Sequence, residues 1–558
     1  MKVIWNSCSW LAQVLAILIA TPALAEIVDI NLLQLNDIYE ITPVEGGTRG
    51  GLARVATLRQ QLYNSNHRTY TVLAGDTLSP SALGTAKINR RPLDGEQMVA
   101  VMNVLGLDYA TFGNHEFDLP KEALYQRLQE SKFHWVSSNV SDSIEKPKPF
   151  KGVPRSIVFN VKGDGGAVVR VGLIGVTLDS NKPDYVSYTN PIQAAKQQVS
   201  ELEGKVDILI AITHLSIEDD RKLAEDVPEI DIILGGHEHE NIQQWRSHEH
   251  KNIQPWRAKY FTPIFKADAN ARTVYVHKLS YDTIKKSLQI NSTLIPITDK
   301  IPDEPETARI VKKWVEIGDL AFCADGFKPK EEIAKLEFTL DGLESSVRNK
   351  STKLTELIAK AMLKEVPDAD LAVFNSGSIR IDDSIPAGVP ITQYDVIRIL
   401  PFGGKVFAVQ IKGSLLQKVL DKGQLNKGTG GYLQTANVSR QEAPSDKGQL
   451  NKGTGGYLQT ANVSQKKPSI QWLIQGQPLD PNHLYKIAIN DFLAKGKESG
   501  LDFLNIDNTD KQEIKLIAEK GDIRKAIIDY LKSEKTVSDT NSDWTCSKLK
   551  NYSIPLSR

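Results

Sequence analysis

His237-Glu238-His239 and His248-Glu249-His250 stand eleven residues apart inside two near copies of one decapeptide, "HEHENIQQWR" and "HEHKNIQPWR". Imidazoles at this spacing can hold metal, so the first question is whether one pair, both or neither does. Further candidate donors are spread through the first half of the chain: Asp37, Asp76, Asn114 with His115, and His214. Two divalent cations roughly 3.5–4 Å apart need about three or four protein ligands each, with one bridging carboxylate and open positions for water and substrate. Asp76 in "AGDTLSPS" is the natural bridge, Asp37 serves a first ion, and Asn114, His214 and His237 serve a second. His239 reaches back to the first ion, because alternate residues of an extended segment point to opposite sides. Carboxylate, amide and imidazole ligation without thiolate suits zinc, manganese or iron, and magnesium or calcium less readily.

What positions these residues is a series of β-rich runs alternating with helical patterns between Glu26 and about Pro296: "IVDINLLQLN", "YTVLAGD", "LDYATFGNH", "KFHWVSSN", "VVRVGLIGVT", "VDILIAITH" and "EIDIILGGH". Buried strands joined by crossover helices make an α/β domain. Five of the runs end in the polar residues named above, and in open α/β sheets ligands bind beyond the carboxyl ends of the strands. The charged periodic segment 303–322 predicts a helix with Ile310, Trp314, Ile317 and Leu320 on its apolar face, and it lies between two differently patterned halves. A second α/β region begins at about Ile333 and contains "KLTELIAKAML", "DLAVFNSGSI" and "LPFGGKVFAVQI". Residues 421–439 and 446–464 are identical copies of "DKGQLNKGTGGYLQTANVS". Two perfect copies point to a local duplication lodged in a loop, since solenoids need at least three diverged units.

Length and composition bound the rest. A chain of 558 residues exceeds what one core supports, so two or more domains are expected. Lys plus Arg equals Asp plus Glu at 68 each, which argues against nucleic-acid or membrane-surface binding by bulk charge. Residues 1–25 combine a Lys, an apolar run and Ala23-Leu24-Ala25, the pattern of a secretory signal removed before Glu26. No later stretch has the roughly 18 apolar residues a membrane helix needs. The protein is therefore expected to be exported, to periplasm or medium. Cys8 leaves with the signal, while Cys323 and Cys546 form either one disulfide or two free thiols.

The series "LND", "GDTLS", "GNHEFD", "THL" and "GGHEH", in this order, resembles the metallophosphoesterases, and "NSGSIR", "LPFGG" and "NDFLA" resemble the C-terminal domain of secreted bacterial 5'-nucleotidases. The resemblance implies a four-layer α/β/β/α catalytic domain at 26–302, a linker helix at 303–332, a substrate-binding α/β domain at 333–536 and a tail at 537–558. It implies two divalent metal ions, on Asp37, Asp76 and His239 and on Asp76, Asn114, His214 and His237. His115 and Asp118 match the catalytic dyad, which assists in-line attack of metal-bound hydroxide on phosphorus. Arg348 and Arg380 match arginines that take phosphate, Phe402 and Phe492 the rings that stack the base, Asn375 a base or ribose contact, and Glu498 the ribose-binding carboxylate. The implied activity is phosphate release from 5'-nucleotides or related esters such as nucleotide sugars and 2',3'-cyclic nucleotides, with rotation of the second domain carrying substrate to the metals. The alternatives are a phosphoesterase on a non-nucleotide substrate, or a degenerate relative that binds nucleotide or metal with little turnover.

Three departures from the family pattern stand out. Tyr39 in "NDIYE" takes the place of a metal-binding His, Glu498 in "KGKES" replaces an Asp, and the duplicated "GTGGYLQ" offers both Gly430 and Gly455 for one substrate-proximal turn. As for the histidine pairs, His237 and His239 follow the buried run "EIDIILGG", which aims them, whereas His248 and His250 follow "QQWRS". The first pair is expected to bind metal and the second to be an idle copy.

Overall fold

The computed structural model describes residues 26–143, 147–244, 262–442, 470–508, 512–534 and 546. The segment 1–25, His248 and His250, the second long repeat with Gly455, and the 537–558 tail apart from Cys546 lie outside these residues.

Two six-stranded sheets form the first half. In one, Ile27–Leu35, Thr69–Ala74 and Tyr109–Thr111 run parallel, and Thr273–Asp282 adds antiparallel to the free side of Ile27–Leu35. In the other, Val168–Thr177, Ile208–His214, Ile232–Gly235 and Ile264–Lys266 are parallel neighbours. The strands are apolar on both faces because both faces are covered. Val28, Ile30 and Leu32 share an inter-sheet core with Ile210, Ile212 and Leu234. Leu33 and Leu35 turn the other way, toward Val55 and Met98 of helices Leu52–Ser65 and Glu96–Leu105. Leu209 and Ala211 do the same against Ala195 and Leu223 of helices Pro191–Leu202 and Ile217–Asp226. The layers are thus α/β/β/α. Gln34 ties the sheets together: its Nε2 donates to the carbonyls of Gly235 and Phe265 at 3.0 and 2.9 Å, and its Oε1 faces His277 Nε2 at 2.9 Å.

In the second half a five-stranded sheet has the order Leu433–Ala436, Leu371–Asn375, Leu484–Asn490, Lys405–Lys412, Ile514–Asp522. Helices Lys353–Glu365 and Ile523–Ser533 cover one face and Gly413–Leu425 the other. The first long repeat is not the loop expected from its composition. It supplies the end of the Gly413–Leu425 helix, a turn, and the edge strand Leu433–Ala436, because pairing with Leu371–Asn375 and burial of Leu433 outweigh glycine content.

Between the halves runs the helix Pro305–Ala324, started by Glu304, whose carboxylate accepts from the amides of Glu306 and Thr307 at 3.1 and 2.7 Å. It buries Val311, Trp314, Ile317 and Phe322, leaving the expected Ile310 and Leu320 only half-buried. Gly318 explains the shift: a Cβ there would stand 2.3 Å from Leu83 Cδ2, so the helix approaches the first half along that face. One apolar core runs from Leu52 through Trp314 to Leu354, and Cys323 near the helix end is disulfide-bonded to Cys546. No described helix is long and apolar enough to cross a membrane.

Candidate active site

Parallel strands deliver the polar residues to one place. Asp37, Asp76, Asn114 and His237 lie two or three positions beyond their strand ends, and His214 is the last residue of its own. Oxygens of Asp37 and Asp76 and a nitrogen of His214 fall within 4.8 Å of one another. His214 Nε2 is 3.2 Å from Asp76 Oδ2 and 3.9 Å from Asp37 Oδ1, and His239 Nε2 is 3.2 Å from Asp37 Oδ1. The His237 ring lies 5.3 Å from that of His214. Asp37, Asp76, His237 and His239 all adopt positive φ, at 54°, 55°, 92° and 60°. Such conformations are rare outside glycine and persist where the surroundings enforce them. At Gly113 a Cβ would stand 2.1 Å from Asp76 Oδ1, so only glycine lets the Asn114 loop pass this close.

These donors fit a metal. Asn114 Oδ1 and His214 Nε2 are buried without a hydrogen-bond partner, and the Nδ1 of His214 faces the Ala74 carbonyl at 2.8 Å, which leaves Nε2 bare toward the carboxylates. The charge balance without an ion is uneven. Burial lowers the His214 pKa, but Asp76 and Asp37 outweigh it and push it up to about 9. His237 is driven down to about 3 by burial and by His214. Burial opposes ionisation of Asp76 as well, yet His214 and His115 hold its carboxyl well below the usual range. Protons and metal therefore compete for the same atoms.

Beside the cluster His115 Nδ1 faces Asp118 Oδ2 at 2.7 Å, and Asp118 also accepts from Ser79 Oγ at 3.1 Å and Asn181 Nδ2 at 2.5 Å. Asp118 leads out into a cavity of about 450 Å³ lined also by Asn375, Arg380, Phe402, Phe492 and Glu498. Phe402 and Phe492 are 58% and 40% exposed, which excludes ordinary core packing for either ring. Asn375 Nδ2 donates to Glu498 Oε2 at 2.8 Å, and Asn375 Oδ1 accepts from Asn490 and Ser378 at 2.9 and 2.7 Å. Gly430, of the first repeat, forms part of the wall, its carbonyl accepting from Gly377 N at 2.8 Å. Arg348 does not line this cavity; it pairs with Glu344, one helical turn earlier, and Glu344 lines a smaller space together with Tyr39, His239, Arg380 and Asp382.

Several contributors escape a reading of the sequence. Glu116, wholly buried, accepts from the amides of Asp76, Thr77, Leu78 and Gly113 at 2.6–3.1 Å and so shapes both ligand loops. Burial and the Asp76 charge push its pKa up to about 7. Lys266, equally buried, donates to the carbonyls of Leu215 and Gly236 at 2.7 and 2.8 Å and pairs with Asp220 and Glu238. Asp382 of the second half stands 3.0 Å from His239 Nδ1. The one signal for Glu116 is its place inside "GNHEFD"; Asp382 lies just beyond "NSGSIR".

Residues 30–241 match the family model for calcineurin-like phosphoesterase, and residues 332–505 match that for the 5'-nucleotidase C-terminal domain. Protein UshA of Yersinia enterocolitica is 28% identical over 519 residues, covering 84% of this chain and 86% of its own. A 5'-nucleotidase of Vibrio cholerae is 28% identical over 62% of this chain and 67% of its own. Among solved structures, a 5'-nucleotidase precursor from Thermus thermophilus superposes with a TM-score of 0.69 at 24% identity, over 92% of this chain and 97% of that one, a likeness of fold.

Proposed function

As the chain belongs to the metallophosphoesterases that carry a 5'-nucleotidase C-terminal domain, and is a metal-dependent phosphoric monoester hydrolase, we propose that it is an exported, dinuclear enzyme releasing phosphate from 5'-nucleotides or related nucleotide esters. The observation that carries this reading is the aromatic cavity, because it opens onto Asp118 and so joins a base-sized slot to the dyad beside the metal donors.

Asp37, Asp76 and His239 would hold one ion, and Asp76, Asn114, His214 and His237 the other. When bound, such ions lower the pKa of water and neutralise charge on the phosphoryl oxygens. The rest is done by side chains. Asp118 fixes the His115 tautomer through Nδ1, leaving the other ring nitrogen to hold a proton at a phosphoryl or leaving-group oxygen. Arg380, within electrostatic reach of Arg348, presents guanidinium charge to phosphate. Phe402 and Phe492 take the base between them, and Glu498 with Asn375 accepts ribose hydroxyls. Domain boundaries at 26–302, 303–332 and 333–536 follow the family matches at 30–241 and 332–505 to within one residue at the start of the second. Export is supported by the leader pattern and by the Cys323–Cys546 disulfide, which belongs to an oxidising compartment.

The test is phosphate release from AMP, a nucleotide sugar, a 2',3'-cyclic nucleotide and glycerol phosphate, with wild type and a Phe402→Ala, Phe492→Ala double variant. Loss of both rings, at about 1–3 kcal/mol per stacked base face, should raise nucleotide KM at least tenfold and leave glycerol phosphate unchanged. Equal KM values for the two proteins would point to a non-nucleotide substrate, and metal binding without release from any ester to a binding protein.

A further inference from the structure

Tyr39 stands among the metal donors. Its hydroxyl oxygen lies 3.3 Å from Asp37 Oδ1, 3.1 Å from Asp76 Oδ2 and 3.0 Å from His239 Nε2, and the last is 3.2 Å from Asp37 Oδ1. Atoms bound to one first-row ion at about 2.0–2.2 Å are roughly 2.8–3.6 Å apart, along the edges of a tetrahedron or octahedron. All four separations fall in that range. Hydrogen bonding covers only part of them: His239 Nε2 can donate to the phenolic oxygen, but one hydroxyl proton faces two carboxylates and can satisfy only one at full strength. Nor can the oxygen swing away: the residue is 3% exposed, and its amide donates to Asn270 Oδ1 at 3.0 Å.

We propose that Tyr39 is a metal ligand, and that the site it completes with Asp37, Asp76 and His239 takes trivalent iron. The choice of ion follows from the donors. A metal-bound tyrosine oxygen is a hard anionic donor, and with two carboxylates it makes a set of three anionic oxygens and one imidazole, matched to a small ion of charge three. The neighbouring set of Asn114, His214 and His237, sharing Asp76, has one anionic group and suits a divalent ion. The two positions are therefore chemically unequal, and the protein holds a mixed pair.

The proposal rests on the hydrolase reading above, and the experiment separates the two. Metal-free full-length protein, wild type and the variants Tyr39→Phe and Tyr39→His, is loaded with ferric citrate followed by zinc sulfate, or with zinc sulfate alone. Metal per chain, visible absorption, the thermal unfolding midpoint and phosphate release from AMP are recorded for each. Wild type should bind one iron and one zinc per chain and be coloured by tyrosinate-to-iron charge transfer. Tyr39→Phe should lose the colour and at least tenfold in iron affinity with its unfolding midpoint little changed, and Tyr39→His should bind two zinc ions without colour. A colourless iron-loaded wild type, no uptake of iron, or a band that persists in Tyr39→Phe overturns the assignment. If phosphate is still released in those cases, only Tyr39 loses its role. A wild type that neither binds metal nor releases phosphate overturns the hydrolase reading as well.

Discussion

Ligation of a metal at this candidate centre would depend on atoms that never touch the ion. His239 meets an ion-pair contact from the opposite half of the molecule, Asp382 Oδ2 standing 3.0 Å from Nδ1, with Glu344 at 3.9 Å. Burial opposes charge on His239, but Glu344, Asp382 and Asp37 together draw its pKa well above the ordinary value. Partners of this kind typically account for 10–100-fold in metal affinity. Asp382→Asn should therefore weaken metal binding by about that factor in a chelator competition, with little change in unfolding midpoint; unaltered affinity would show His239 to be held by its loop alone. The residue scale was also the most legible in the sequence. Asp37, Asp76, Asn114, His115, His214 and His237 each sit in a contiguous motif at a strand end, so local pattern sufficed. Glu116, Lys266 and Asp382 were not legible as supports, because their value lies in partners up to 143 positions away, as for Asp382 and His239. Tyr39 was visible as a departure, but only geometry shows where its oxygen goes.

At the scale of elements, the bond between the two sheets, from Gln34 Nε2 to the Gly235 and Phe265 carbonyls, is backed within its own sheet by His277, whose Nε2 faces Gln34 Oε1 at 2.9 Å and whose Nδ1 faces the Ser292 hydroxyl at 2.7 Å. Burial drives the His277 pKa down to about 3. The unfolded chain takes up a proton near pH 6.5 while the folded one resists, so stability is complete above pH 6.5 and falls as pH drops from there toward 3. By pH 5 this one residue should cost about 2 kcal/mol, at about 1.4 kcal/mol per pH unit. Urea midpoints followed from pH 7 to pH 5 should fall less in His277→Gln than in wild type; parallel curves would mean the imidazole is protonated in the fold. That strands and helices alternate in this half was legible from its apolar runs; the order of the strands in the two sheets was not. The second half was less open to inspection: the glycine-rich repeat hid an edge strand whose stability comes from a neighbour some sixty residues earlier.

Taken whole, the molecule closes its two halves with buried charge. Arg398 donates to Asp383 at 2.6 Å and stands 3.4 Å from Glu40 of the catalytic half, which also accepts from Tyr394 at 3.3 Å. Glu40, Arg398 and Asp383 are all buried, and burial raises the Glu40 pKa against the pull of Arg398. Removing one member of such a set leaves uncompensated charge in the interface, at roughly 3–5 kcal/mol. Arg398→Met should split calorimetric unfolding into two transitions, the catalytic half and the substrate half melting apart; a single transition at an unchanged temperature would mean the shared apolar core alone keeps them docked. None of this network was legible beforehand, since Glu40 and Arg398 are separated by more than 350 positions and neither was singled out for a role, although Glu40 closes the stretch "NDIYE".

The bond between Cys323 and Cys546 gives the chain a topology as well as a crosslink. The substrate-binding half leaves the end of one helix and returns to within 5.9 Å, Cα to Cα, of where it left, 223 positions later. It is a closed covalent ring hung from a single point at the end of the connecting helix. A cut anywhere in that ring releases nothing until the bond is reduced. A swing about the attachment point stretches neither strand, whereas drawing the half straight outward pulls on both, so the ring permits rotation of one half against the other and resists their separation.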